Sequence, residues 1–212
     1  MKIEIWSDIV CPFCYIGKRR FEKALNNFAY KGEVSVIWKS YQLSPGLKTD
    51  PNKNPVAFLA EHKGISMEEA QKLNDYVTQM AAGDGLIYNL NIAIAANSLN
   101  AHRLLHLAKE YEAQSALKEN LFASYFTAGR NIDDVSALLT IAEESGLVKD
   151  NAEKVLSGNA YLAEVERDIY EAHQIGVKGV PFFLFDGKYA VSGAQDVSVF
   201  TRTLEAAYAK SK

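Results

Sequence analysis

Two cysteines, Cys11 and Cys14, stand near the start of the chain and are the only thiols among its 212 residues. Two thiolates cannot complete a tetrahedral zinc site without histidine or carboxylate ligands. A Cys-x-x-Cys pair can instead close a small disulfide ring and open it again. The segment Cys11-Pro12-Phe13-Cys14 therefore predicts thiol–disulfide chemistry, with no metal and no cofactor beyond a redox-active Cys11–Cys14 disulfide.

The residues around this pair predict a strand followed by a helix. Residues 2–6 alternate polar and apolar, which is typical of a strand. Pro12 suits the first turn of a helix, because its missing N–H has no intrahelical partner there. Cys11 would then lie at the positive helix end, which lowers a thiol pKa. We expect Cys11 to attack and Cys14, one turn further in, to resolve the mixed disulfide.

Asp8 lies three residues before Cys11. Its carboxylate has three open interpretations: a cap for the loop or helix, a proton relay, or a charge that disfavours the thiolate.

The remaining chain predicts two αβ ends separated by a helical block. A second strand covers residues 33–41, a loop covers 44–55, and a hairpin at Asp186-Gly187 joins strands 182–185 and 189–192. Between them, apolar spacing predicts five helices, at residues 67–82, 100–113, 116–128, 135–144 and 162–174. Because neither end can bury a core alone, they must share one sheet. We predict an α/β fold with a first domain at 1–45 plus 160–212 and an inserted helical domain at 46–159.

Composition excludes several classes of function. The formal net charge of −3 gives no reason to expect nucleic acid. The sequence contains no run of eighteen apolar residues, so no membrane span is predicted. The N-terminal residues also lack a signal-peptide pattern. We therefore expect a cytoplasmic protein, a compartment where a Cys-x-x-Cys pair is more often catalytic than structural. His102 and His106 are spaced as a metal-binding pair, but Arg103 follows where Glu would, so they are interpreted as helix surface.

The order strand, C-P-x-C helix, helical insertion and distant Val-Pro hairpin resembles the DsbA-like branch of the thioredoxin fold. Residues 7–17 (SDIVCPFCYIG) and 176–183 (GVKGVPFF) are similar to the FrnE-type DsbA oxidoreductases, as are residues 100–104 (NAHRL) and 192–195 (SGAQ). This resemblance implies disulfide exchange or isomerisation on protein substrates, with a catalytic cis Pro181 facing the dithiol and the Val180 backbone pairing with substrate. Phe13 stands where periplasmic DsbA has His, so we expect a potential between about −270 and −120 mV.

The same branch supports a second interpretation. It includes the glutathione-dependent 2-hydroxychromene-2-carboxylate isomerases and kappa-class glutathione transferases, whose active residue resembles a Ser at position 11. In that case the loop containing Gly193 and Gln195 would hold glutathione. The presence of both Cys11 and Cys14 argues against a glutathione-dependent enzyme, because a transferase needs no resolving thiol. A third interpretation is a non-enzymatic binding protein with an apolar groove.

The expected partners are protein thiols or disulfides, with glutathione as an alternative thiol and with no nucleic acid or membrane. The chain would act as a monomer or a homodimer. The residues assigned to substrate binding flank the dithiol or lie in the helical block: Pro12, Phe13, Val180, Gly193, Gln195, His102 and Arg103.

Overall fold

The computed structural model describes residues 1–210, which form two compact units. The sheet unit comprises Met1–Leu43 together with the chain from Glu166 onward, and the helical unit comprises Ser44–Val165. The elements in chain order are β1 (Lys2–Ser7), α1 (Pro12–Asn26), β2 (Ser35–Ser40), α2 (Pro55–Lys63), α3 (Met67–Gly83), α4 (Leu99–Glu110), α5 (Gln114–Phe126), α6 (Val135–Glu144), α7 (Lys149–Ser157), α8 (Leu162–Gln174), β3 (Phe182–Phe185), β4 (Tyr189–Ser192) and α9 (Val197–Ala209). Short 3₁₀ helices cover Lys31–Glu33 and Leu90–Ile92.

The sheet unit contains one four-stranded mixed sheet in the order β2-β1-β3-β4. Strand β1 pairs in parallel with β2 and antiparallel with β3, and β3 pairs antiparallel with β4. Ile5 is the central register point, opposite Trp38 on one side and Phe183 on the other. The two αβ ends of the sequence therefore share one sheet, as predicted.

Alternation along the strands gives the sheet two apolar faces. On one face, Ile5, Phe183 and Trp38 belong to a buried cluster that also includes Phe21 of α1 and Phe200 of α9. On the other face, Trp6 packs with Ala172 of α8 and with Val177. The strands thus hold α1 and α8 on opposite faces of the sheet.

Polar groups attach α8 to the ends of β1 and β2. The Asp168 carboxylate accepts the Ser40 backbone N–H at 2.8 Å and pairs with the Lys39 ammonium at 2.9 Å. The Asp168 carbonyl accepts the Trp6 indole N–H at 2.8 Å. These bonds fix the end of β1, from which the loop to Cys11 departs, and the end of the paired strand β2.

The hairpin between β3 and β4 follows the sequence prediction. Asp186 and Gly187 have positive φ values of 47° and 67°. Lys188 completes the three-residue connection, and its backbone N–H donates to the Phe185 carbonyl at 3.0 Å. Left-handed residues at both central positions of this turn match the twist of antiparallel strands.

In the helical unit, several helix starts are capped by the residues that the sequence favours. Ser66 and Glu69 form the reciprocal capping box of α3, and the Asp134 carboxylate caps α6. Two helices were missed. One is α2, which begins directly after Asn54 where the predicted loop ends, and the other is α7, which buries only Ala152 and Val155. No helix within residues 1–210 is long and apolar enough to cross a membrane.

Candidate active site

Cys11 is the N-cap residue of α1, with extended backbone, and Pro12 opens the first turn. The Cys11 backbone N–H donates to the Asp8 carbonyl at 3.2 Å, and the Cys14 N–H donates to the Cys11 carbonyl at 3.0 Å. Both thiols are free and buried, with Cys11 4% exposed and Cys14 fully buried. Cys11 is therefore the thiol nearer to the surface.

The Cys11 thiol contacts a segment 169 residues further along the chain. Its Sγ donates to the Val180 carbonyl oxygen at 3.5 Å, and the Val180–Pro181 peptide bond is cis. The cis bond implied by the resemblance is therefore confirmed. The structure brings Cys11, Cys14, Val180 and Pro181 together from opposite ends of the sequence.

The loop at residues 192–195 lies beside Pro181. The Gly193 N–H donates to the Pro181 carbonyl at 2.8 Å, while the Gln195 side-chain amide donates within its own loop to the Ser192 carbonyl at 2.9 Å. Gly193 thus adjoins the site directly, whereas Gln195 shapes the loop.

Two residues of α1 that sequence analysis left unassigned also shape the site. A Cβ atom at Gly17 would lie 2.8 Å from Cγ of Pro181, so only glycine leaves room for that ring. The Arg20 guanidinium donates to the Ala194 carbonyl at 2.7 Å and ties the loop to α1. Gly17 belongs to the segment 7–17 that resembles the FrnE-type oxidoreductases, so the sequence could have pointed to it. No sequence motif around Arg20 indicates its role.

Electrostatics at the dithiol oppose the sequence prediction. The hydrogen bond with the Cys14 thiol, burial and the nearby Asp8 charge together raise the pKa of Cys11 above its ordinary value. The Cys14 backbone N–H acts in the opposite direction but does not outweigh them. The expectation of a lowered Cys11 pKa is therefore wrong, because helix-end stabilisation competes here with burial and a shared thiol hydrogen bond.

Asp8 takes a defined position at this site. Its side chain is fully buried, and its carboxylate accepts the Leu43 backbone N–H at 2.7 Å. It therefore anchors the chain after β2, and its charge also disfavours the Cys11 thiolate.

One apolar side chain is exposed within the dithiol segment and another on the residue bonded to Asp8. Phe13, between the two cysteines, is 36% exposed, and Leu43, held by Asp8, is 45% exposed. Pro12 is half-buried in the first turn of α1. Phe13 supplies no cation to the Cys11 sulfur.

His102 and Arg103 do not occupy the positions expected of them. His102 is fully buried and Arg103 is 4% exposed, so the prediction of a helix surface or groove wall is wrong. The Arg103 guanidinium donates to the carbonyls of Ala160 at 2.8 Å, Gly158 at 2.5 Å and Val155. Because its donors satisfy backbone oxygens at the end of α7, Arg103 acts as a structural residue of the helical unit. Burial lowers the pKa of Arg103.

Within residues 1–210, no group of three or more His, Cys, Asp or Glu side chains could hold a metal ion.

A thioredoxin-like sheet that places a Cys-x-x-Cys pair at a helix N-terminus beside a cis proline is typical of thiol–disulfide oxidoreductases. Residues 2–205 match the model of the DSBA-like thioredoxin domain family, and the chain belongs to this family. Its thioredoxin-like fold with a helical insertion, as predicted, is the DsbA-like fold.

Individual relatives agree with this assignment. A crystal structure of a probable DsbA oxidoreductase from Streptomyces coelicolor is 39% identical, with a TM-score of 0.92 over 99% of this chain and 90% of that one. The Bacillus subtilis protein YwbO is 28% identical over 95% of this chain and 94% of its own length. The cytosolic disulfide reductase DsbM from Pseudomonas aeruginosa, 16% identical, shares the fold with a TM-score of 0.69 over 99% of each chain.

Proposed function

We propose that this protein exchanges and isomerises disulfides in protein substrates, with Cys11 as the nucleophile and Cys14 as the resolving thiol. The observation that carries the proposal is the Cys11 Sγ at the N-terminus of α1, 3.5 Å from the Val180 carbonyl beside cis Pro181. A substrate strand that paired with the Val180 backbone would have its sulfur held next to Cys11.

In the reducing direction, the Cys11 thiolate attacks one sulfur of a substrate disulfide. A mixed disulfide forms, the substrate S–S bond breaks, and the second substrate sulfur leaves as a thiolate that takes up a proton. The Cys14 thiolate then attacks Cys11 and releases the first substrate thiol. The substrate gains two electrons and two protons, and the protein ends as the Cys11–Cys14 disulfide.

Isomerisation uses the same intermediate with a different resolving group. When another substrate thiolate attacks the mixed disulfide before Cys14 does, a new substrate disulfide forms and Cys11 leaves reduced. No net oxidant or reductant is then consumed.

The electrostatics favour reduction and isomerisation over oxidation. A dithiol is strongly oxidising when the protein stabilises its reduced thiolate form, as DsbA does. Here the pKa of Cys11 is raised by the Cys14 hydrogen bond, burial and Asp8, and Phe13 contributes no cation. We therefore propose a reduction potential nearer to about −270 mV, the value of thioredoxin, than to about −120 mV, the value of DsbA. Such a potential is consistent with the expected cytoplasmic location and with recycling by a small thiol such as glutathione.

A mixed-disulfide trap tests the proposal. Cys14→Ser retains the attacking thiol and removes the resolving one, so it should accumulate disulfide-linked adducts with an oxidised protein substrate on non-reducing gels. Cys11→Ser, the matched control, should give none, and only the wild type should turn over insulin in a reduction assay. Adducts on Cys11→Ser alone would overturn the assignment of roles.

The glutathione-dependent alternative is separated by the same variants. A glutathione-dependent isomerase or transferase needs no second thiol, so Cys14→Ser would keep its activity. An activity that requires glutathione, persists in Cys14→Ser and does not change substrate redox state would favour that class.

A further inference from the structure

The helical unit contains a cavity of about 270 Å³ between α3 and the segment that includes Tyr88 and Ile92. Its size is near the lower end for ligand pockets in proteins. Every residue that lines it belongs to the helical unit.

The second wall of this cavity is held in place by the end of α5. The Asn89 backbone N–H donates to the Phe126 carbonyl at 2.7 Å, and its side-chain amide donates to the Thr127 carbonyl at 2.6 Å. The Thr127 hydroxyl returns a bond to the Ile87 carbonyl at 2.6 Å. The wall is thus built before any ligand arrives, which reduces the entropy lost on binding.

Gly129 fixes the end of the same wall. It has a positive φ of 63°, and a Cβ there would lie 2.8 Å from Ile92 side-chain and backbone atoms. Because Ile92 packs directly on this glycine, the 3₁₀ turn at Leu90–Ile92 is seated against the chain after α5.

The facing wall is the polar side of α3. Gln71, Asn74 and Thr78 line the cavity at i, i+3 and i+7, and Asn91 lines it from the other wall. Gln71 donates to the Asp75 carboxylate at 2.8 Å. The side chains of Asn74, Thr78 and Asn91 make no hydrogen bond to any residue between 1 and 210, so their donors and acceptors are available to a ligand.

The charges on the lining select against anions. Asp75 is the one charged side chain among the described lining residues, and no Lys or Arg lines the cavity. An anionic ligand such as a phosphate or glutathione would meet a carboxylate without a compensating cation. A neutral ligand with both donors and acceptors fits better.

We propose that this cavity binds a short extended stretch of polypeptide backbone, largely independent of its sequence. Side-chain amides both donate and accept, so they complement the N–H and C=O of a peptide group. From Gln71 to Thr78 the helix rises about 10 Å, which matches roughly three residues of extended chain. Tyr88, Leu90 and Ile92 offer apolar contact for a side chain. The source of the segment, an unfolded protein substrate, rests on the proposed function.

Nuclear magnetic resonance tests the binding directly. The side-chain NH₂ signals of Asn74, Asn91 and Gln71 should shift when the full chain is titrated with a neutral, cysteine-free peptide capped at both ends. A peptide of the same sequence with N-methylated backbone should shift them much less, because its donors are lost. Absence of shifts at millimolar peptide would overturn the proposal, as would stronger shifts with glucose, which would indicate a sugar site.

Paired variants of α3 locate the effect. Asn74→Leu combined with Thr78→Val should raise the Kd for the peptide about tenfold, since two hydrogen bonds are lost. Gln79→Leu, an exposed position of α3 outside the lining, is the control and should leave the Kd unchanged. Equal effects from both variants would contradict the assigned site.

The peptide contains no cysteine, so its binding does not depend on dithiol chemistry. Absence of peptide binding together with normal exchange of a small disulfide would refute only the proposed peptide binding by the cavity. Normal peptide binding without any exchange activity would refute the proposed function alone.

Discussion

The Pro181 ring lies against Gly17, where a Cβ would come within 2.8 Å of Cγ and 3.4 Å of the Phe183 ring. This contact joins the second turn of α1 to the residue that follows Val180. Val180 accepts the hydrogen bond from Cys11. The spacing between α1 and the Val180–Pro181 segment therefore depends on the absence of a side chain at Gly17.

Gly17→Ala should therefore disturb the site and the fold together. The added methyl must displace Pro181, and overpacking of this kind costs roughly 1–3 kcal/mol of unfolding free energy. Urea unfolding measures the cost, and insulin reduction measures the effect on exchange, which should fall. Gly32→Ala is the control, because nothing lies within 4 Å of its Cβ position. Equal stability of the two variants would contradict the steric argument.

Asp8→Asn should make Cys11 more reactive at neutral pH. The pKa of Cys11 is raised first by the Cys14 hydrogen bond, then by burial, and also by the Asp8 charge. Removing that charge lowers the pKa, so the thiolate fraction and the alkylation rate at pH 7 should rise. Asparagine can still accept the Leu43 N–H through its side-chain oxygen.

The pH profile of iodoacetamide alkylation measures this change. Cys14→Ala removes the largest cause, so it should move the profile to lower pH further than Asp8→Asn does. A shift of the Asp8→Asn profile to higher pH would show that the carboxylate acts as a proton acceptor for Cys11 instead.

The reduced protein should lose stability at alkaline pH. Because the folded pKa of Cys11 is raised, the unfolded chain releases this proton first, from about pH 8.5 upward. The contribution of the protonated Cys11 thiol to the free energy of unfolding is complete below that pH. It is lost as the pH rises through the folded pKa, with a slope of up to about 1.4 kcal/mol per pH unit. Urea unfolding under reducing conditions at pH 7 to 10 measures it, and Cys11→Ser should show a flatter profile.

Arg103→Met should destabilise the helical unit while leaving dithiol chemistry intact. Three carbonyls, those of Ala160, Gly158 and Val155, would lose a charged donor, at a cost of about 2–3 kcal/mol. Thermal or urea unfolding measures the loss, and exchange with a small disulfide should persist in the folded protein. Arg130→Met, which breaks an exposed 3.2 Å pair with Glu144, should cost at most about 1 kcal/mol. A stable Arg103→Met with altered protein-substrate selection would restore Arg103 as a groove residue.

Local patterns in the sequence were enough for most of the fold. Helices α6 and α8 begin and end where apolar spacing places them, and the Asp186-Gly187 turn follows from its residue types. The helix α2 was missed because its few buried side chains, Val56 and Ala60, give little periodicity over nine residues.

The candidate site was predictable only where its chemistry is local. The dithiol is visible in four consecutive residues, and the Val-Pro segment is visible through a resemblance. The direction of the Cys11 pKa shift could not be predicted from the sequence, because it depends on burial and on the hydrogen bond between the two thiols. The role of Arg103 likewise depends on carbonyls 52 to 57 residues away, whose positions no local pattern gives.

The sequence separation of 169 between Cys11 and Val180 also sets the order in which the ribosome synthesises the two parts of the site. At typical synthesis rates of about 5–20 residues per second, the dithiol emerges roughly 10 to 30 seconds before its carbonyl partner exists. During that interval β1 has no β3 to pair with, and Cys11 lacks the Val180 contact of the finished protein. The nascent chain therefore carries both thiols before it can form the Val180 contact that would position a substrate.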